Sequence, residues 1–115
     1  MESTPQSYIP ISEPVTYILL SLVPGPKHGY AILKDMEELS DGQARLSVST
    51  LYESLGRLLH DGLIERVEDS SGKASLRPRK IYRLSQLGRQ VLTAEINRMQ
   101  GLVARAERRL HPEDA

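Results

Sequence analysis

Long cationic side chains crowd into residues 73–89, a stretch that contains no acid. Lysine and arginine at this density neutralise phosphates, so they indicate the binding of a polyanion such as nucleic acid. The whole chain has 15 basic and 15 acidic residues and a formal net charge of zero, so such a surface must be segregated. Acids gather elsewhere, within residues 35–41. The cations are Lys73, Arg77, Arg79, Lys80, Arg83 and Arg89.

Just before this stretch, residues 47–60 have the pattern of a short amphipathic helix. Ser47 is a favourable N-cap, and leucines repeat every three or four residues along one face. The opposite face has small or polar groups at its amino-terminal end, the end that enters a major groove in helix-turn-helix proteins. An ordinary solvated helix face is the alternative, and Glu53 favours it. The candidate contacts to phosphates and base edges are Ser49, Thr50, Tyr52 and Arg57.

The sequence offers little for other kinds of chemistry. It has no cysteine, which excludes disulfides and thiolate metal sites and suits a reducing cytoplasm. His28, His60 and His111 are scattered without metal-ligand spacing, so we expect no metal. We find no phosphate-cradling glycine loop and no nucleophile elbow, and therefore predict neither an enzyme nor a cofactor. The longest apolar run is too short to cross a bilayer, so no membrane partner is expected.

Proline, serine and glycine positions predict where the other elements begin and end. A first helix starts with Ser12 as its cap and ends before Pro24. A second helix runs from Lys27 or His28 to Ser40. His28, at its start, could donate to a phosphate or instead fix the turn that precedes the helix.

Strands are predicted on either side of the basic stretch. Leu63 to Glu68 alternates well enough for a strand, and Ile81 to Leu84 can pair with it as a hairpin. Gly62 separates this hairpin from the preceding helix. Arg45–Leu46 is predicted as a further, very short strand, and Ser85 as the cap of a long final helix.

The order helix, helix, helix, strand, strand, helix predicts a mainly α (α+β) fold. We interpret it as a winged helix-turn-helix with a C-terminal dimerisation helix. Residues 1–11 are expected to form a flexible N-terminal arm. Residues 12–84 would be the DNA-binding domain, and residues 85–111 the dimerisation helix.

Apolar residues in the final helix are spaced by four, three, four, three and four positions, which is a heptad seam. About 25 helical residues extend roughly 37 Å, whereas the preceding domain should be only about 28 Å across. We therefore expect the helix to overhang its own domain and to pair with a second copy, although packing of the whole seam on the first helix is an alternative. The predicted dimer interface is Leu92, Ile96, Met99, Val103, Ala106 and Leu110.

Several motifs, in order, resemble the PadR-like transcriptional regulators. They are residues 27–32 (KHGYAI), 49–52 (STLY), 58–65 (LLHDGLIE) and 80–88 (KIYRLSQLG). The resemblance covers about residues 15–110 and implies a dimeric winged-helix repressor of the short-tailed branch. It also implies DNA-facing or helix-positioning roles for Tyr30, Thr50 and Tyr52, and wing roles for Lys80 and Tyr82. The full DNA-binding set we predict is Lys27, His28, Tyr30, Ser49, Thr50, Tyr52, Arg57, Lys73, Arg77, Arg79, Lys80 and Tyr82.

The sequence therefore predicts a homodimeric, cytoplasmic regulator of transcription that binds double-stranded DNA at a pseudo-palindromic operator, as a repressor. A small-molecule effector would act by changing the separation of the two heads through the final helix. Some members of the short-tailed branch bind flat aromatic drugs with the help of tryptophan, which this chain lacks. The alternative is a winged-helix scaffold that binds another protein without DNA specificity.

Overall fold

A computed structural model of the chain describes residues 4–67 and 80–114. In chain order, the helices are α1 (Glu13–Ser21), α2 (Gly29–Leu39), α3 (Val48–His60) and α4 (Gln86–Leu110), and the strands are β1 (Lys27–His28), β2 (Ile64–Val67) and β3 (Ile81–Leu84). Short 3-10 turns, Pro5–Tyr8 and Pro112–Asp114, lie near the two ends. The order and type of the main elements confirm the predicted winged helix-turn-helix with a long final helix.

Serine side chains begin three of the helices, as the sequence predicted. Ser12 accepts from the backbone N–H of Val15, and Ser47 accepts from that of Thr50. Ser85 accepts from the backbone N–H of Gly88 and donates to the Gly62 carbonyl at 2.6 Å. Because each bond satisfies an amide that the helix itself leaves free, these serines fix where the helices start.

The sheet has three antiparallel strands in the order β1-β3-β2. Strand β3 is central, with Tyr82 opposite Lys27 of β1 and opposite Arg66 of β2. The prediction that Arg45–Leu46 would be a strand is wrong, since the third strand is Lys27–His28. A two-residue strand is held by backbone pairing to a neighbour, and a side-chain pattern does not reveal that pairing. The second helix consequently starts at Gly29.

The core lies between the helices and the inner face of the sheet. Ile64 of β2 and Leu63, the residue before that strand, pack into the core, and so does Tyr82 of β3. Gly62 turns the chain into β2 with φ = 77°, a conformation that glycine adopts without strain. The buried helical residues are Ile18, Leu19, Leu22, Ile32, Met36, Leu51, Leu55, Leu58, Val91 and Leu92.

The segment that precedes α1 is packed on the domain. Its Pro5–Tyr8 turn contacts α4, and Tyr8, Ile9 and Ile11 pack against the core. A flexible arm was predicted over residues 1–11, because prolines and polar residues hide any periodicity there. Within the described range, residues 5 to 11 pack on the domain, and we call them the N-terminal strap; the flexibility of the arm stays a prediction.

Helix α4 begins in the core and then leaves it. Gly88, Val91, Leu92 and Glu95 are buried, whereas every described residue from 102 to 113 is exposed. The predicted overhang of this helix is therefore confirmed. None of the helices in the described ranges has both the length and the apolar character needed to cross a membrane.

Candidate nucleic-acid interface

Hydroxyl groups cluster at the exposed amino-terminal end of α3. The Ser47 hydroxyl donates to Thr50 Oγ1 at 2.8 Å and lies 3.3 Å from the Ser49 hydroxyl. All three residues are exposed. Free backbone amides and the helix dipole make such an end favourable for anions. The cluster therefore presents donors and acceptors to a partner that approaches along the helix axis.

Tyr52 connects this end of α3 to the start of α2. Its ring lies over Gly29, where an added Cβ would stand only 2.6 Å from the Tyr52 hydroxyl oxygen. A larger residue at position 29 would push the ring outward, so Gly29 sets the place of Tyr52. This role of Gly29 was not predicted, and its one signal in the sequence is its position between His28 and Tyr30.

Tyr30 and Tyr82 have opposite environments. Both belong to the predicted DNA-binding set, but Tyr30 is 74% exposed and Tyr82 only 2%. Burial, together with the neighbouring Tyr52, raises the pKa of Tyr82 against the lowering effect of Arg66. The burial of Tyr82 contradicts its inclusion among the DNA-contacting residues, because a ring in the core cannot face a partner. Tyr30 stands free for contact.

The two residues of β1 are turned toward the protein. The Lys27 ammonium lies 3.7 Å from an Asp35 carboxylate oxygen, and the lysine side chain is only 22% exposed. The Nδ1 atom of His28 is buried and has no hydrogen-bond partner among the described residues. Pairing to β3 holds both residues in place. Their geometry favours a supporting role over direct contact with a ligand.

Arg57 lies on a different flank of α3 from Tyr52. The two residues are five positions apart, which is about 140° around a helix. Arg57 lines a groove together with Tyr8 and Ile11 of the N-terminal strap. Arg57 is thus separated from Tyr52, but it lies about two turns beyond Thr50 on the same side of α3.

The described part of the basic stretch is its carboxyl-terminal end. Lys80 is exposed next to β3, and Arg83 pairs with Glu65 across the sheet at 3.3 Å. The predicted contacts Lys73, Arg77 and Arg79 lie outside the described residues. Within those residues, no group of His, Cys, Asp or Glu could hold a metal ion.

A sequence-family comparison decides the identity of this fold. The model of the transcriptional regulator PadR-like family matches residues 18–94. The chain belongs to the PadR-like family. The match includes the last four residues of α1, all of α2 and α3, the sheet and residues 86–94 of α4. It confirms the resemblance inferred from the sequence motifs.

Solved structures share the fold of this PadR-like chain. A PadR family regulator from Eggerthella lenta is 28% identical, with a TM-score of 0.64 over 84% of this chain and 83% of that one. A transcriptional regulator from Clostridium thermocellum is 23% identical, with a TM-score of 0.67 over 88% and 98%. Bacillus subtilis PadR in complex with operator DNA is 24% identical, with a TM-score of 0.61 over 71% and 46%. No curated protein matches the chain.

The predicted dimer seam divides at the point where α4 leaves the core. Leu92 is 5% exposed within its own chain and Ile96 packs against the core, while Val103 is 54% and Leu110 73% exposed. Met99 is half-buried and Ala106 exposed. The seam therefore packs against the chain's own core at one end and is uncovered at the other.

Two neighbours of the seam were missed by the heptad pattern. Leu102 is 52% exposed beside Val103 and widens the uncovered apolar surface. Glu95 is buried on the core-facing side, where Arg98 binds both its carboxylate oxygens at 2.8 and 2.7 Å. Hydrogen bonding from Arg98 lowers the pKa of Glu95, partly offset by burial, and the backbone of Ile11 also lowers it. A charged residue gives no apolar signal, so periodicity did not find it.

Proposed function

We propose that this PadR-like chain is a homodimeric, sequence-specific DNA-binding repressor that acts on a pseudo-palindromic operator. The observation that carries the proposal is the exposed amino-terminal end of α3. There, Ser49, Thr50 and Tyr52 are exposed, and Tyr30 projects from the start of α2. Small side chains allow a helix axis to approach base edges, and hydroxyls serve both bases and phosphates.

The surroundings of α3 support insertion into a major groove. The core face of α3 is fixed by three buried leucines, so its outer face is presented at a constant angle. Lys80 lies at the start of β3 and suits a flanking phosphate. Lys73, Arg77 and Arg79 remain proposed phosphate contacts on sequence grounds. The solved complex of Bacillus subtilis PadR with operator DNA supports DNA binding by a chain of the same fold.

The uncovered half of α4 supports a dimer of this chain. Leu102, Val103 and Leu110 together expose an apolar surface that water disfavours. A two-fold pairing would cover it and would place two α3 helices on one face of the DNA, about 10 base pairs or a multiple of that apart. Steric exclusion of polymerase at a promoter would then repress transcription.

DNA binding is tested by selecting genomic fragments that the protein retains and measuring their affinity by fluorescence anisotropy. Replacement of Thr50 by Val keeps the shape but removes a hydroxyl, and Tyr30→Ala removes an exposed ring. We expect each to weaken specific binding by about 1–3 kcal/mol if it contacts a base. The control Asn97→Ala changes an exposed residue on the far side of α4 and should leave affinity intact.

A scaffold that binds proteins is the second candidate, and the same titration separates the two. A DNA-binding protein should show a steep salt dependence, with a slope of roughly 0.9 per phosphate neutralised. It should also prefer the selected fragment over bulk competitor. Equal, weak binding to every duplex would favour the scaffold.

The dimer is tested by placing charge on the uncovered surface of α4. The double variant Leu102→Glu and Val103→Glu should sediment as a monomer and lose most operator affinity, since one half-site binds weakly. Asn97→Glu adds a charge to the same helix on its opposite side and should remain a dimer. A dimer that survives the double variant would place the interface elsewhere.

Repression is tested by transcription in vitro from a promoter that carries the selected site. Added protein should lower transcript yield in proportion to operator occupancy, and Tyr30→Ala should need more protein for the same effect. An increase in transcript would mean activation instead.

A further inference from the structure

An open groove of about 260 Å³ lies between the N-terminal strap, α1 and α3. Tyr8 and Ile11 of the strap and Val15 of α1 give it apolar walls, while Arg57 and Asp61 supply charge at the carboxyl-terminal end of α3. This groove is on the flank of α3 away from Tyr52. It is separate from Tyr52, but Ser54 and Arg57 lie on the same side of α3 as Thr50, one and two turns further along the helix.

The volume of the groove limits what could occupy it. Sites for drug-sized ligands are about 300–1,000 Å³, so this one suits a smaller metabolite. Apolar walls with a few polar groups at one end suit a molecule that has an apolar body and a charged head. A large flat aromatic drug would not fit inside it.

The two charges at the end of the groove define the head group. Arg57 and Asp61 are one helical turn apart, yet no ion pair joins them among the described residues. The Nδ1 atom of His60 lies 3.4 Å from Oδ1 of Asp61. A guanidinium binds a carboxylate with two parallel hydrogen bonds, and a carboxylate accepts from an ammonium. A ligand that presents both groups side by side satisfies both residues.

We propose that this groove binds a free apolar amino acid. Its carboxylate contacts Arg57, its ammonium contacts Asp61, and its side chain packs against Tyr8, Ile11 and Val15. Ser54 also lines the groove and offers a hydroxyl to the same head group. The net charge of the ligand is zero, which matches the one positive and one negative residue at the rim.

The position of the groove gives such a ligand a route to regulation, and this step rests on the proposed function. Arg57 and Asp61 belong to α3 and its cap, whereas Tyr8 and Ile11 belong to the strap. The backbone of Ile11 lies beside Glu95 of α4. A bound amino acid therefore joins the proposed DNA-reading helix to the helix proposed to hold the dimer. It alters operator affinity to the extent that its own affinity differs between free and DNA-bound protein.

Binding is tested by titrating L-phenylalanine into isotope-labelled full-length protein, without DNA, and following backbone amide resonances into the millimolar range. We expect saturable shifts at Tyr8, Ile11, Ser54 and Arg57. Arg57→Gln should weaken binding by at least about tenfold, because a bond to a charged group is lost. Arg105→Gln removes an arginine from the distant end of α4 and should leave binding unchanged.

Two analogues assign the head-group contacts separately. Hydrocinnamate keeps the ring and the carboxylate, so Arg57→Gln should weaken it and Asp61→Asn should not. Phenethylamine keeps the ring and the ammonium, and should show the reverse pattern. Shifts that stay the same in both variants, shifts at other sites, or none at all would overturn the proposed site.

Operator affinity is then measured with and without L-phenylalanine. A change that disappears in Asp61→Asn supports regulation through the groove. Saturable binding with unchanged operator affinity would overturn the regulatory step but keep the site. A protein that binds no operator would fail the proposed function, while the resonance titration would still decide whether the groove takes an amino acid.

Discussion

The two halves of α4 carry the same apolar stripe but meet different surroundings. In the first half, Val91, Leu92 and Glu95 are buried in the chain's own core. In the second half, Leu102 and Val103 are each more than 50% exposed. Both halves are helical, so local propensity does not distinguish them. What distinguishes them is whether the chain itself supplies a surface to pack against, and the uncovered half is where a second copy is proposed to bind.

The largest expected contrast is between two large-to-small changes on the same seam. Leu92→Ala removes buried methyl groups and leaves a cavity, so it should lower the free energy of unfolding by about 2–5 kcal/mol at every protein concentration. Val103→Ala removes exposed groups, so it should matter only where the protein is dimeric. Urea unfolding at several protein concentrations measures both. A loss with Val103→Ala that does not depend on concentration would contradict the comparison.

The next contrast concerns a glycine in the buried half. A Cβ at Gly88 would collide with the backbone carbonyl of Leu63, which also accepts from the Ser85 N–H at 3.1 Å. A carbonyl held in this way cannot easily move. Gly88→Ala should therefore lower the free energy of unfolding by about 1–3 kcal/mol, as overpacking does. Unchanged thermal unfolding would show that α4 can shift away from the sheet.

Much of the fold, including the difference between the two halves of α4, could be predicted from the sequence. The serine caps and the leucines of α3 are local signals, and each was confirmed. The overhang of α4 followed from comparing helix length with domain size. The sequence did not predict that the seam packs on the core at one end and is uncovered at the other. A heptad pattern shows that Leu92 and Val103 are apolar, but it does not show which surface covers each residue.

The features that sequence reasoning missed depend on contacts between distant segments. The N-terminal strap packs through three apolar residues among prolines, without periodicity. Strand β1 exists because β3 offers a free edge to two residues. In the candidate interface, Ser49 and Thr50 were predicted as exposed and are. Tyr82 was assigned there by resemblance but is buried, since the family motif does not say whether a residue touches a partner or supports one that does.

The pH dependence of the unfolding free energy tests the buried half of α4 through Glu95. Its pKa is lowered in the folded protein, chiefly by hydrogen bonding from Arg98. The ionised carboxylate therefore contributes stability above its unfolded pKa, near 4.5, and this contribution is lost as pH falls through the lower folded pKa. The gap in unfolding free energy between the native chain and Glu95→Gln should be largest near neutral pH and should close in acid.

The matched control for this pH series lies in the uncovered half. Glu107 is exposed on α4, and no ion pair of Glu107 occurs in the part of the chain that the structure describes. Glu107→Gln should leave unfolding free energy nearly unchanged from neutral to acid pH. If instead the gap for Glu95→Gln stayed constant with pH, the loss would come from packing and not from the ionised pair.

The smallest expected effect is at Gly101, where α4 has left the core. Glycine inside a helix costs about 1 kcal/mol relative to alanine, so Gly101→Ala should stabilise the helix. An added Cβ would meet the guanidinium of Arg105 at 3.2 Å, but the end of an exposed arginine side chain can move aside. We therefore expect a gain in unfolding free energy of about 0.5–1 kcal/mol, opposite in sign to Gly88→Ala. A loss would mean that the surface near Gly101 is covered in solution and that the second copy packs closely on this side of α4.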